Sequence, residues 1–283
     1  MTPLELHVVA GHTLLLKRED THELGAFKWR GALATLERHR GDVVTASTGN
    51  HGAATAWAAR TLGVRAIVYV PRDASRTKTA LIEAQGAELR RVGADLDEAK
   101  DEARAWADAN GVFFFEDGAE PPQYEGYAAI AEEILAEASP AIVVAGVGNG
   151  ALAIGLARGG ARVVGAVPKA APVMYESLRA GRPVDGLASE TFADGLAVRV
   201  AIPRAVELLR ELNIELTLVS EREIAEGVRA LAEAGIRAEG AAGAAVAAAL
   251  RVDADSVAVV VTGRNVDDDL WQRAVERPES FSG

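Results

Sequence analysis

Ala141-Ile142-Val143-Val144-Ala145-Gly146-Val147-Gly148-Asn149-Gly150-Ala151 reads as a buried strand that turns through glycines into a helix. A continuous apolar run of this kind belongs in a sheet covered on both faces, which in practice means a parallel sheet. Glycines permit the dihedrals that let successive N–H groups converge, and the helix start adds the positive end of its dipole. The turn from Gly146 to Gly150 therefore suits a phosphate. It is a poor dinucleotide fingerprint, because its glycine spacing departs from that pattern. Gly165-Ala166-Val167-Pro168, after the next apolar run, also offers no acid for a ribose.

The same alternation extends in both directions. Leu14 to Leu16, Val43-Val44, Ala66 to Val70, Val112 to Phe115, Arg162 to Val167, Leu216 to Val219 and Val257 to Val261 are short β-rich runs separated by Ala/Leu/Glu/Arg segments. Repeated βα units predict an α/β fold around mostly parallel sheets flanked by helices. Helices are expected over Arg76 to Gln85 and Asp95 to Asn110, each stopped by a glycine. A further helix over Ile224 to Ala234 is announced by the Ser220/Glu223 capping box. Ala238 to Leu250 is nearly all small residues and is expected to be a buried helix.

Composition narrows the function classes. The 283 residues, 49% hydrophobic and 25% charged, describe a globular chain of one large or two modest domains. A formal net charge of −11 with no Lys/Arg run longer than a pair argues against nucleic acid or an anionic membrane and for a small-molecule partner. Cysteine is absent, so disulfides, thiolate metal sites and a cysteine nucleophile drop out. With no leader pattern at Met1-Thr2-Pro3-Leu4-Glu5 and no apolar stretch of spanning length, a cytoplasmic location is expected. Of the five histidines, His7, His12, His22 and His39 read as structural or solvated, and none of the five shows metal-ligand spacing.

Three further motifs carry chemistry. Gly25-Ala26-Phe27-Lys28-Trp29-Arg30-Gly31-Ala32 follows a strand and a turn and places Lys28 at a helix start, as a Schiff-base lysine requires. A lone lysine there is ordinarily a surface residue on an amphipathic helix. Thr45-Ala46-Ser47-Thr48-Gly49-Asn50-His51-Gly52 leaves a strand for an Ala-rich helix, exposing N–H groups that suit a carboxylate or phosphate, or simply forming a tight capped turn. Thr262-Gly263-Arg264-Asn265 follows the last strand, where a hydroxyl faces the ligand crevice of an open α/β sheet, unless it is only a polar turn.

Taken in order, these motifs resemble the serine/threonine dehydratase and serine racemase family of fold type II (tryptophan-synthase-β-like) pyridoxal-phosphate enzymes, over nearly the whole chain. The family's Ser-Phe-Lys-x-Arg-Gly-Ala is similar to Ala26-Phe27-Lys28-Trp29-Arg30-Gly31-Ala32, which implies that Lys28 binds pyridoxal 5'-phosphate covalently. Ser-x-Gly-Asn-His resembles Ser47-Thr48-Gly49-Asn50-His51. This implies a substrate-carboxylate loop, with Asn50 beside the cofactor's phenolic oxygen. The family's phosphate loop corresponds to Gly146, Val147, Gly148, Asn149 and Gly150, and its terminal Ser-Gly-Gly-Asn-Val-Asp to Thr262 through Asp267, placing the Thr262 hydroxyl on the pyridine nitrogen. Ala193-Asp194-Gly195-Leu196-Ala197 and Glu239-Gly240-Ala241-Ala242-Gly243 resemble two further family blocks. The chain departs from the family at Ala26, Asn149, Gly240 and Arg264. Val167-Pro168-Lys169 stands where related enzymes carry a cation-binding Glu before Pro, so no metal is expected.

The resemblance implies a large cofactor domain from 1–40 and 121–283, a smaller inserted domain from 41–120, and a homodimer. It also implies β-elimination from a small hydroxy amino acid such as threonine or serine, giving a 2-oxo acid and ammonia. The substrate carboxylate would lie on the N–H groups from Ser47 to His51, while Lys28 removes the Cα proton. A hydroxyl at Thr262 is a poor proton source for the ring nitrogen, which weakens the electron sink and favours loss of the β-substituent. The cofactor phosphate would serve as the acid for the departing hydroxyl. Racemisation is the nearest alternative, with Thr48 supplying the hydroxyl that acts on the opposite face. Tyr124-Glu125-Gly126-Tyr127 is similar to threonine synthases, which brings in β-replacement. A non-catalytic binding protein on the same scaffold is the reading from outside the enzymes.

Overall fold

The computed structural model describes the backbone of residues 1–283 and every side chain except those of Thr77 and Lys78. Ten strands form: β1 (Leu4–Val9), β2 (His12–Arg18), β3 (Val43–Ala46), β4 (Ala66–Val70), β5 (Glu88–Arg91), β6 (Phe113–Phe114), β7 (Ile142–Gly146), β8 (Val163–Pro168), β9 (Glu215–Val219) and β10 (Val257–Val261). Between them run α1 (Trp29–His39), α2 (Asn50–Leu62), α3 (Arg76–Ala84), α4 (Leu96–Asn110), α5 (Pro121–Glu137), α6 (Ala151–Arg158), α7 (Val173–Ala180), α8 (Pro203–Glu211), α9 (Glu221–Glu233), α10 (Gly240–Ala249) and α11 (Asp268–Glu276). The chain divides into two compact units, one of residues 1–27 with 127–283 and one of residues 28–126. Among the described residues, no helix is long and apolar enough to cross a membrane.

In the first unit, six strands are ordered β1-β2-β10-β7-β8-β9, parallel except for β1. β1 lies outside the sequence expectation. It pairs with β2 through a two-residue turn, Ala10-Gly11, in which both residues have positive φ. The strands β7, β8 and β10 are buried along their whole length, as continuous apolar runs require. From β7 the chain winds outward to β8 and β9, then returns to lay β10 on the other side of β7. The point where winding reverses, between β7 and β10, is where an open α/β sheet leaves a crevice at its carboxyl edge.

All ten residues of α10 are buried. Its composition is explained by how closely α9 approaches: a Cβ on Gly243 would stand 2.5 Å from the Ile224 carbonyl oxygen, and one on Gly227 would strike the Gly243 carbonyl. Only glycines permit this backbone approach, and alanines fill the remaining space against β7, β8 and β10.

In the second unit, four parallel strands are ordered β5-β4-β3-β6. The winding reverses between β3 and β6, so the segments that follow those two strands, Ser47 onward and Phe115 onward, flank the crevice. α1 packs on α2 through Trp29 and Trp57, edge to face at 5.8 Å. Gly126 backs onto the Arg30 carbonyl, a contact that no side chain would allow. α4 is capped by Asp95, whose carboxylate accepts from the Asp97 and Glu98 N–H groups, and ends on left-handed Gly111.

Candidate active site

Lys28 is the N-cap of α1. Its Nζ donates to Asp117 Oδ2 at 2.6 Å, and the lysine side chain is only 15% exposed. Asp117 follows β6 by three residues and Lys28 precedes α1, so the winding reversal of this small sheet brings them together. The other Asp117 oxygen accepts from Gln123 Nε2 at 3.1 Å and lies 3.6 Å from His51 Nδ1. Gln123 in turn accepts from the Gly118 N–H at 2.7 Å, which fixes the turn that carries the carboxylate.

His51, in the first turn of α2, is buried with its Nε2 3.1 Å from Thr45 Oγ1 and 3.3 Å from the Phe115 carbonyl. Thr45 Oγ1 donates to that same carbonyl at 2.8 Å, tying the ends of β3 and β6. Burial lowers the His51 pKa, and the nearby Lys28 charge adds to that against the pull of Asp117, so the imidazole is neutral near pH 7. For Asp117 burial would raise the pKa, but Lys28 and His51 together with the two hydrogen bonds drive it well below the ordinary carboxylate range. The result is an ammonium–carboxylate pair beside a neutral imidazole.

The turn from Ser47 to Gly49 leads into α2, whose N-terminus carries no side-chain cap. The Ser47 N–H is held by the Tyr69 carbonyl at 3.1 Å, and Ser47 Oγ accepts from the Gly49 N–H at 3.2 Å. Gly52 cannot be larger, since a Cβ would sit 2.8 Å from the Ser47 carbonyl oxygen. Asn50 is the first residue of the helix, and Thr48 and Asn50 are both half-buried. An uncapped helix start of this kind offers N–H groups and a favourable field to an anion.

In the first unit, β7 ends at Gly146 and the chain passes through Val147, Gly148 and Asn149 to Gly150, the N-cap of α6 with φ +92°. Val147 is buried and its N–H is held by the Ala166 carbonyl at 2.8 Å. Asn149 Oδ1 accepts from the Ala151 N–H at 3.1 Å. Gly146 and Gly148 press on neighbouring backbone: added Cβ atoms would lie 2.7 Å from the Ala241 oxygen and 2.8 Å from the Gly195 oxygen. The described backbone–backbone hydrogen bonds use neither the Gly148 nor the Gly150 N–H. A helix N-terminus whose preceding turn holds N–H groups in reserve fits a phosphate.

One residue past β10, Thr262 is 2% exposed and donates through Oγ1 to Glu239 Oε1 at 2.9 Å. The pairing of Val259 with Val144, continued along the parallel strands, sets Thr262 beside Val147 at the same crevice. The Thr262 carbonyl accepts from the Phe27 N–H at 3.0 Å, so the strand end that carries this hydroxyl also fixes the residue that precedes Lys28. Glu239 is buried, with its own N–H on the Gly263 carbonyl at 2.9 Å. Asp117 and Glu239 are the two acids that the sequence reading did not assign. Among the described residues, no cluster of three or more acids and histidines is placed to hold a metal ion.

A partly buried lysine amine in one unit and a glycine turn at a helix start in the other are each of the kind that pyridoxal phosphate needs. The family model described as pyridoxal-phosphate dependent enzyme matches residues 1–263. This chain belongs to that family. It is a pyridoxal-phosphate enzyme of fold type II, in the group of serine/threonine dehydratases and serine racemases. It is 33% identical to an L-threonine ammonia-lyase of Thermotoga maritima, over 98% of this chain and 73% of that one. Human serine racemase is 29% identical over 99% of this chain and 90% of that one. In structure it is similar to the crystallised threonine deaminase of T.th. with a TM-score of 0.86 and 32% identity, over 94% of this chain and 93% of the other. The pyridoxal-phosphate enzyme thus carries the cofactor that the lysine motif implied.

Proposed function

We propose that this enzyme is a dehydratase of small hydroxy amino acids, removing water from threonine or serine and yielding the 2-oxo acid and ammonia. The observation that carries the reading is the Lys28 amine, partly buried at a helix start 2.6 Å from Asp117. Its likeness to threonine ammonia-lyase and threonine deaminase supports the choice of substrate. Lys28 would hold the cofactor covalently through Nζ and the turn from Gly146 to Gly150 its phosphate, with Asn50 beside its phenolic oxygen and Thr262 at its pyridine nitrogen. Bound there, pyridoxal phosphate supplies an electron sink for the negative charge left at Cα when its proton departs.

The remaining chemistry falls to side chains and backbone. The turn from Ser47 to His51, in which the Ser47 N–H stays on the Tyr69 carbonyl, receives the substrate carboxylate at the uncapped start of α2, which fixes the Cα–H bond relative to Lys28. Lys28, once released, takes that proton at Nζ. Asp117 steadies the resulting ammonium with a charge-assisted hydrogen bond. His51 stays neutral and braces Asp117. The expected homodimer and cytoplasmic location belong to the same proposal.

Racemisation is the second reading, favoured by the half-buried Thr48 hydroxyl and by the likeness to serine racemase. A panel of L- and D-hydroxy amino acids, scored for 2-oxo acid release and product chirality with and without an added nucleophile, separates elimination, racemisation and β-replacement. Absence of 2-oxo acid from every member overturns the dehydratase assignment.

A further inference from the structure

β1 is an edge strand that its own sequence does little to blunt. Its ladder to β2 runs from Leu4 to Val9 without a bulge, it carries no lysine, and its nearest proline, Pro3, stands before it. Its one acid, Glu5, is tied to Arg18 at 2.7 Å. Edges left in this state pair with another strand. The Arg18 N–H donates to the Pro3 carbonyl at 2.9 Å, which makes Pro3 and Arg18 a hydrogen-bonded pair. Antiparallel pairs alternate, so Glu5, His7 and Val9 turn their amide groups to β2, and Leu4, Leu6 and Val8 turn theirs away from the sheet. Among the described residues, no backbone hydrogen bond outside the ladder uses those three. Their side chains share one face, on which Leu6 and Val8 are each 68% exposed. Unmet amide groups and uncovered apolar side chains therefore coincide on alternate residues of one short strand.

From this edge we infer that two copies of the chain join β1 to β1, antiparallel, about a two-fold axis at Leu6. The inference deepens the homodimer proposed above and rests on that association, not on the cofactor or the substrate. With the axis at Leu6, Leu4 faces the partner's Val8 and Leu6 faces the partner's Leu6, each pair exchanging two main-chain hydrogen bonds. Glu5 then stands directly opposite the partner's His7, at the close spacing of a non-hydrogen-bonded pair, where a carboxylate meets a ring nitrogen that can donate to it. Sliding the axis to Glu5 sets two carboxylates face to face, which is unfavourable. Sliding it to His7 sets the imidazoles together and leaves Leu4 opposite the turn at Ala10. The strand is thus complementary to itself in one register, which favours a second copy over an unrelated strand. Glu5 is also bonded to His7 of its own chain at 3.0 Å, so both side chains are in place before the partner arrives. A two-fold contact of this kind uses up the edge, and assembly through it stops at two copies.

The test uses the full chain, which contains no cysteine, so a single introduced thiol reports on one position. Leu6→Cys puts two thiols across the axis on Cα atoms about 5.5 Å apart, within the span of a disulfide. Val8→Cys puts them on Cα atoms about 14 Å apart, out of reach. The expected result is a covalent dimer of Leu6→Cys under mild oxidation and none of Val8→Cys alone. Leu4→Cys and Val8→Cys proteins, mixed and allowed to exchange, should cross-link again. Analytical ultracentrifugation of the unaltered chain should show a dimer, and Leu6→Lys, which sets two ammonium groups opposite each other, should raise its dissociation constant about tenfold or more. A monomer at every concentration overturns the inference together with the homodimer. A dimer that Leu6→Lys leaves intact, or in which Val8→Cys cross-links as readily as Leu6→Cys, overturns the pairing at β1 and leaves the homodimer standing.

Discussion

Lys28 and Asp117 stand 89 residues apart in the chain and 2.6 Å apart in space, joined as ammonium and carboxylate at the reversal point of a four-stranded sheet. In the proposed mechanism the lysine parts with a proton before it attacks an aldehyde and carries one after deprotonating a substrate, which would put its carboxylate partner where both states are sensed.

Replacing Asp117 with Asn keeps the shape and removes the charge. The expected outcome is retained cofactor binding with turnover about 10–100-fold lower, the loss of one charge-assisted hydrogen bond. Asp117→Glu should recover part of the rate. Steady-state release of 2-oxo acid, paired with the visible absorption of the bound cofactor, checks it; full activity in Asp117→Asn would remove this residue from the scheme.

Lys28→Ala is expected to abolish both the visible band and all turnover, and, because it leaves Asp117 without its ammonium partner, to lower the melting temperature of cofactor-free protein. Spectra of protein incubated with pyridoxal phosphate and then dialysed decide the matter. A variant that keeps full activity refutes the lysine assignment.

Stability should depend on pH through His51. Its folded pKa lies below the ordinary value of 6.5, so as pH falls through 6.5 the unfolded chain takes up a proton that the folded chain refuses, and stability drops. Above 6.5 this contribution is fully present. Asp117 shifts in the direction that keeps its contribution until far more acid conditions. Thermal melts of cofactor-free protein from pH 8 to pH 5 should show the decline, and His51→Gln should flatten it. An identical slope in the variant would rule His51 out.

Gly146→Ala places a methyl group 2.7 Å from the Ala241 carbonyl oxygen, where the obstacle is the backbone of the buried helix α10 and not a side chain that could move aside. A loss of about 1–3 kcal/mol is expected from such overpacking, together with weaker cofactor binding as the cradle is displaced. Denaturant titration and cofactor titration measure the two effects separately.

The parts of the proposed site that lie within one βα turn can be nominated from the sequence, because strand, loop and helix start are neighbours in the chain: Lys28, Ser47 to His51 and Gly146 to Gly150 stand out together, though each alone has a plain structural reading. Asp117 gave no such signal. It sits in an ordinary acidic turn, and only the order β5-β4-β3-β6 places that turn beside His51. Glu239 was quoted within a family block, but its hydrogen bond to Thr262 depends on packing between α10 and β10. The strand β1 was passed over because its alternation is blurred by Leu6 and Val8, both 68% exposed on the outer edge of the sheet. The two compact units divide at Lys28 and Gly126.

The position of β10 between β2 and β7 has a consequence for biosynthesis. The ribosome makes β2 first, β7 midway and β10 near the end, so the two older strands wait with their inner edges open until the last strand slots between them. Between the synthesis of β7 and that of β10, a growing polypeptide therefore exposes two apolar ribbons with unmet amide groups, an arrangement open to mispairing. Thr262 follows β10 directly, and so its hydroxyl arrives at the crevice in the same event that seals the sheet.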